Sequence, residues 1–493
     1  LLKSLINRSL LRLEVSHQQA ARYGLHELVP HFALTALADE GELENGRSQH
    51  AHYYLPFLAE QEANLMKAHM VAAMEKIQPE MDNIELAWQW AIDQKQCALL
   101  AQTAPALTGF LQNNGRFAIG QQLLKAAHTA CPETPQLKNR LAAMLNMLGV
   151  EAVLSIQLTT EAFTQATAVH DEREAAYACL TQGATLRRSS HFTAAWDKLE
   201  TGLSLLSAND DPWLTAALAT QLCTLIPMLD RYDDAPKYGQ IALQASAKSG
   251  QPPICFVANY ALSQIAMRQS DMQLAEQYTE AGLAALGDYA FPYQRAMLQQ
   301  LQGFIVYYRA DLDNALRLFI QAHESNSHVG DLTLTATTQG MVAHIAFKQA
   351  QYGEAVVCAK EAIVAADLTQ DRWRKGQVLI TLGLASFYAG NQTQAANCMG
   401  ELLLLADELA EPGLRTICLI AFVEWLALLG ERPLAAETAA TVQTHFTLTE
   451  AWQAEVGVLC ERFELEVQTA VAPTWPLLYE KLENFMALTT ARP

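Results

Sequence analysis

The sequence predicts an all-α fold built as a solenoid of antiparallel helix pairs, and two observations carry that expectation. From about Gln96 onward, segments rich in Ala, Leu and Gln follow one another, broken by short runs of Gly, Asp, Asn or Pro. A small residue also recurs at a fixed interval, at Ala195, Ala235, Ala275, Ala315, Ala355, Ala395 and Ala436, with steps of 40, 40, 40, 40, 40 and 41. A chain that is merely helical does not hold such a register over seven units. At 493 residues the chain is also too long for one compact core, as a repeat array allows.

The unit Arg295 to Ser325 shows the pattern best. Gly303 and Val306 lie in its first helix, Arg309-Ala310-Asp311 form the break, and Leu312, Ala315, Phe319 and Ala322 lie in the second. Small residues at 303 and 315 let two helices approach closely, and Val306, Leu312 and Phe319 fill the space between hairpins. This alternation of small and large residues is that of a tetratricopeptide repeat, wound as a right-handed superhelix. Gly120 and Ala162 hold the equivalent place in two looser units upstream, so about nine hairpins are expected. The larger residue three positions earlier is Phe117, Phe192, Tyr232, Met272, Leu312 or Tyr352, and becomes Gln392 and Pro433 late in the array. Atypical terminal units are expected where one face meets water.

In chain order, residues 1–45 read as a separate piece: the end of a helix at Leu1–Arg8, strands at Leu10–Val15 and Arg22–Leu25 around the polar turn Ser16–Ala20, then an amphipathic helix His26–Asp39. Helix, β-hairpin, helix is the back half of a winged-helix domain. Residues 46–95 read as a helical linker, 96–447 as the repeat array, and 448–493 as two capping helices separated by Ala470-Val471-Ala472-Pro473.

Lys and Arg number 33 against 52 Asp and Glu, a net charge of −19, which argues against direct binding of nucleic acid or an anionic membrane. Nine cysteines stand singly in apolar helical patterns without a CxxC pair, which suggests reduced, buried thiols in a cytoplasmic protein. The longest apolar run, Ile417 to Gly430, carries Glu424 and reads as a core helix. The chain opens on Leu1 without a Met and is expected to be a piece of a larger protein.

The segment SLLRLEV…RYGLHELVPHFALTALADEGE resembles the winged-helix end of bacterial NB-ARC-type regulators, the signal-transduction ATPases with numerous domains (STAND). The resemblance continues through His50-Ala51-His52-Tyr53-Tyr54-Leu55, Asp82-Asn83-Ile84 with Ala87, Trp90 and Ala91, and Asn114-Gly115-Arg116-Phe117 with Gly120, Leu123 and Leu124. It covers about the first 130 residues. In that family this stretch joins an ATPase module to a tetratricopeptide sensor array. The resemblance implies ADP or ATP as cofactor of the parent protein, none in this chain, and that ATPase module as an intramolecular partner. Leu25-His26-Glu27 is similar to the family's Met-His-Asp triplet, which implies that His26 senses the ADP phosphate. An imidazole at a helix start, beside the positive end of the helix dipole, suits an anion. Glu27 in place of Asp and Pro30 in place of a longer polar residue depart from the family pattern, and helix capping is the other role open to His26.

Motifs for chemistry are missing. The sequence has no GxxxxGK[ST] and no GxSxG. In His26-Glu27-Leu28-Val29-Pro30-His31 the second histidine is one residue too far for a shared helical face, so no metal site is expected. No catalytic residue is assigned.

What remains is a surface. The first helices of tetratricopeptide hairpins line the concave side, and the residues before each break are Arg187-Arg188, Pro227-Met228, Met267-Arg268, Tyr307-Tyr308, Phe347-Lys348 and Phe387-Tyr388, each pair 40 apart from the next. One turn earlier stand Gln264, Phe304, His344 and Leu384. Aromatic and basic side chains gathered in an acidic protein suit a protein segment, a peptide or a small acidic ligand. Packing between neighbouring hairpins is the other use of such a stripe. Two functions therefore stand open: the sensor of a STAND-type regulator, and a free-standing adaptor that scaffolds other proteins.

Overall fold

The protein is described here from a computed structural model, which covers residues 2–8, 10–14, 22–25, 29–206, 211–289, 291–446, 450–469 and 472–490. It is a tetratricopeptide-like α-solenoid. Nine antiparallel helix pairs run from Cys97–Asn113 with Phe117–Ala130 to Pro412–Leu428 with Arg432–His445. The helices Glu450–Arg462 and Trp475–Thr490 follow.

The step of 40 is written most plainly in the turns. Ser190, Asp230, Ser270, Ala310, Ala350, Gly390 and Gly430 close the seven hairpins from Glu172 onward, all at positive φ between 54 and 85°. The residue after the turn donates its N–H back to the first helix, Asp311 to Val306 at 3.2 Å and Gln351 to Ala346 at 2.9 Å, so each first helix ends in a left-handed cap. The starts of the first helices keep the same register. Asp171, Asp211, Asp331, Asp371 and Glu411 each accept from the backbone N–H three residues on, satisfying donors a helix start leaves free.

Ala195, Ala275, Ala315, Ala355 and Ala395 are fully buried at the contact between paired helices. A Cβ on Gly303 would sit 3.1 Å from the Phe319 ring, so any larger residue there pushes the ring back by a few tenths of an ångström. Two alanines differ from expectation. Ala235 is half-buried, because its helix starts late, after a 3-10 turn at Tyr232–Asp234. At the last hairpin Ala435 and not Ala436 is fully buried, which restores the step of 40.

The cysteines also need a correction. Cys97 and Cys131 form a disulfide, because an antiparallel hairpin returns the end of its second helix to the start of its first. The other seven are free thiols, three of them half-buried and four buried. The helix Pro212–Leu229 has the length and apolarity to cross a membrane, and half of it is buried among its neighbours.

At the N-terminus, helix Leu2–Asn7, an antiparallel hairpin of Leu11–Glu14 and Arg22–Leu25, and helix Val29–Asp39 follow in the expected order. The turn Ser16–Ala20 and His26 lie outside the described residues. Helix Leu43–Ala59 crosses the boundary expected at residue 45, and Glu62–Leu65, Met70–Ile77 and Met81–Asp93 follow before the array. Ala51, Leu55, Ile84, Ala87 and Ala91, from the stretch that carries the family resemblance, are fully buried there.

The superhelix closes on itself. Arg188 pairs with Asp331, and Ser190 accepts from the Trp373 N–H at 3.0 Å while donating to Asp371 at 3.4 Å. The helices before the array dock on the same coil. Ser249 donates to the Met66 carbonyl at 2.7 Å, Gln251 to the Leu65 carbonyl at 2.6 Å, and Arg173 bridges Glu62 and Asp211.

Candidate ligand-binding cavity

Winding the array this tightly encloses a cavity of about 700 Å³, within the range of ligand sites. All nine first helices contribute to its wall, joined by Trp452 and Glu455 from the helix that follows. The geometry is simple. First helices turn the same face inward, and a residue and its equivalents 40 positions on line one row: Tyr260, Gln300, Gly340, Ile380 and Ile420 form one, Gln264, Phe304, His344, Leu384 and Glu424 another.

Of the residues singled out in the sequence, Arg187, Arg188, Gln264, Arg268, Phe304, Tyr307, Tyr308, His344, Phe347 and Lys348 line this cavity. Their roles in it differ. Arg188 is not a free groove residue: it is 7 % exposed and forks onto both oxygens of Asp331 at 3.2 Å, with a further bond to the Thr333 hydroxyl. Arg187 donates from Nε to Gln221 at 3.1 Å and forms no ion pair among the described residues, although the Asp371 carboxylate acts on it from nearby. Burial, then the neighbouring Arg188, pulls its pKa down to about 10. Gln264 donates to the Tyr260 hydroxyl at 3.0 Å, and Tyr260 in turn to Gln300 at 2.9 Å.

The aromatic members meet in separate clusters. Phe304 meets Phe319 edge-on at 5.1 Å, and Tyr307 meets Tyr308 at 5.6 Å and His344 at 5.7 Å. Tyr307 and His344 also share a hydrogen bond of 2.8 Å, with the Thr381 hydroxyl 3.5 Å from the other ring nitrogen. Burial first, and Lys348 second, lower the His344 pKa to about 4, so the ring is neutral at pH 7 and has one donor and one acceptor nitrogen between Tyr307 and Thr381. Burial likewise raises Tyr307 to about 12. Arg268 is half-buried and Lys348 exposed, and neither pairs with a carboxylate among the described residues.

Phe387 and Tyr388 sit elsewhere. Phe387 packs into the core beneath the last hairpins. Tyr388 stacks on Tyr352 of the preceding hairpin at 4.9 Å, donates to Glu424 at 3.1 Å and accepts from Arg462 at 2.9 Å. The ninth hairpin and the following helix cover this end of the row, so its aromatics serve packing between units.

Sequence reasoning missed Tyr260, Tyr293, Gln300, Asp331 and Arg374, all of which line the cavity. The signal was present: following the same step of 40 back along each first helix, one to four turns from the break, reaches them. Among the described residues no group of three or more His, Cys, Asp or Glu is placed to hold a metal ion.

No protein-family profile matches the chain, and no curated protein matches it. Solved structures do. A Rap protein complexed with competence and sporulation factor superposes with a TM-score of 0.52 at 12 % identity, over 74 % of this chain and 99 % of that one. The Cut9–Hcn1 heterotetramer of the APC/C gives 0.48 at 14 % identity, over 76 % of this chain and 72 % of that one. A STAND protein with a tetratricopeptide repeat sensor from Pyrococcus horikoshii gives 0.41 at 13 % identity, over 99 % of this chain and 60 % of that one. At such identities the first likeness bears on the fold alone, and the fold it supports is the tetratricopeptide-like solenoid.

Proposed function

We propose that this chain is the ligand- or partner-sensing module of a STAND-type regulator, acting in the cytoplasm and relaying occupancy of its cavity to an ATPase module. The observation that carries the reading is the cavity itself, about 700 Å³ in volume and walled by every first helix of the array. In a solenoid each unit otherwise meets mainly its neighbours, so an occupant that touches several units at once shifts the coil as a whole. The occupant is a peptide, a segment of a partner protein, or a small acidic ligand, set against aromatic rings with unpaired Arg187, Arg268 and Lys348. The Rap protein of similar fold is complexed with competence and sporulation factor, which is in keeping with a solenoid of this kind receiving a signalling molecule.

The relay has a physical route. The linker that joins the winged-helix piece to the array docks through Glu62, Leu65 and Met66 onto Arg173, Ser249 and Gln251, and Gln251 also lines the cavity. In the intact regulator His26 contacts the phosphate of bound ADP and holds the resting state.

The test is a paired one in the intact regulator. Arg268→Ser and Lys348→Ser each change stability by less than about 0.5 kcal/mol, since neither residue is in an ion pair, while the response to the natural activator falls. A response that stays intact removes the cavity from the mechanism. Calorimetry of this chain alone with ATP gives no binding heat, because it has no P-loop; micromolar binding overturns the division of labour. Finally, His26→Ala in the intact protein weakens ADP retention, and unchanged ADP occupancy returns His26 to helix capping.

A further inference from the structure

One end of the cavity carries more positive charge than the chain itself balances. Arg187, Arg188 and Arg374 line it, with Asp331 on the same wall and Asp371 beside them. Asp331 is fully engaged: both oxygens take Arg188, and Oδ1 also accepts the N–H groups of Thr333 and Leu334 at 2.8 and 3.2 Å. Asp371 accepts the Arg374 N–H at 3.0 Å and the Ser190 hydroxyl at 3.4 Å, with Arg374 Nε 3.4 Å from its second oxygen. Three guanidinium groups against two carboxylates leave one positive charge over, and the geometry puts it on Arg187.

That residue makes a single side-chain hydrogen bond among the described residues, from Nε to Gln221. Its two terminal nitrogens have no partner there. A guanidinium offers its donors as a planar fork, and the group that matches the fork with two parallel bonds is a carboxylate. Burial beside Arg188 and Arg374 already makes the charge on Arg187 harder to hold, as its lowered pKa records, so an arriving anion relieves an existing penalty. Met147, Leu180, Val257, Met297 and Phe304 line the same cavity and offer an apolar wall to whatever bears that anion.

We propose that Arg187, supported by Arg374, is the receptor for one carboxylate group, and that the sensed ligand is a small monoanion with an apolar or aromatic body. The inference deepens the ligand-sensing reading above and rests on it. A doubly charged phosphate exceeds the single surplus charge, and a neutral ligand leaves it unmatched.

The probe is a pool of acetylated tripeptides with free C-terminal carboxylates, compared with the same pool as C-terminal amides. Binding is read from the fluorescence of Trp213, Trp373 and Trp452, which line the cavity, and from the melting temperature. The free acids bind the wild-type chain about tenfold more tightly than the amides, the difference expected of a charge-assisted pair. Arg187→Gln abolishes that preference without lowering the melting temperature, and Arg187→Lys keeps part of it. If both pools bind the wild type equally, the cavity still senses ligands but the carboxylate receptor is wrong. If neither pool binds, both readings fall together. Retained preference in Arg187→Gln, or its failure to fold, assigns Arg187 to structure. Inorganic phosphate that displaces the acids better than acetate at equal concentration makes the site one for phosphate instead.

Discussion

His344 shows what the cavity asks of a single residue. Its ring is neutral because burial and Lys348 disfavour the imidazolium, and the neutral ring shares a hydrogen bond with the Tyr307 hydroxyl. The folded chain therefore binds this proton only near pH 4, whereas the unfolded chain binds it near 6.5. Between those values the unfolded state holds more protons, so stability is complete above pH 6.5 and falls as pH drops toward 4, by up to about 3 kcal/mol. Thermal melts of the wild type and His344→Gln across that window check this: the variant has the shallower pH dependence. Arg188 makes the opposite case, a charge that is buried and paired. Arg188→Ala leaves Asp331 without its partner and costs about 3–5 kcal/mol. A melting curve equal to that of the wild type would show the pair to be dispensable.

Within one hairpin, the turn and the helix contact have separable energetics. Ala350 holds φ near 60° at its turn, a conformation that costs an L-residue roughly 1 kcal/mol. Ala350→Gly therefore stabilises the chain, by about that much less the entropy glycine adds to the unfolded state. Gly353, three residues on in the first turn of helix Tyr352–Thr369, has nothing within 4 Å of a Cβ, so Gly353→Ala stabilises by about 0.5–1 kcal/mol. Ala315 is the converse: it is fully buried, and Ala315→Arg drives a charge into a close helix contact at a cost of several kcal/mol. Chemical denaturation ranks Gly353→Ala as the most stable of the three, then Ala350→Gly, then Ala315→Arg, and a neutral Ala315→Arg would mean the helices are not in close contact there.

Over the whole molecule, closure is the property that matters. The hairpin that turns at Arg188 to Ser190 touches the start of two others, at Asp331 and at Asp371 to Trp373. These contacts turn an open spiral, in which units meet only in sequence order, into a coil with a defined interior. Loss of the Arg188–Asp331 pair should loosen the coil even where it stays folded. Small-angle scattering of Arg188→Ala under conditions where its helix content is intact gives a larger radius of gyration than wild type, and an unchanged radius would place the closure in the other contacts.

Architecture was legible in the residues themselves because it is local. Helix periodicity, turn residues and a step of 40 all operate within one or two neighbouring units, and the buried alanines at 195, 275, 315, 355 and 395 follow from that step. The inward row from Gln264 to His344 was legible for the same reason. Two local irregularities were not: a 3-10 turn shifts Ala235, and Ala435 stands where Ala436 was expected. Tertiary structure alone decided which residues meet across the coil. Nothing in the neighbourhood of Arg188 announces Asp331, 143 positions away, and nothing near Cys97 announces Cys131. The same winding separates two residues that look equivalent by sequence, leaving Arg187 without an ion pair among the described residues while packing Phe387 against the core. Repetition determines which way a side chain points; how tightly the repeats wind determines what it faces.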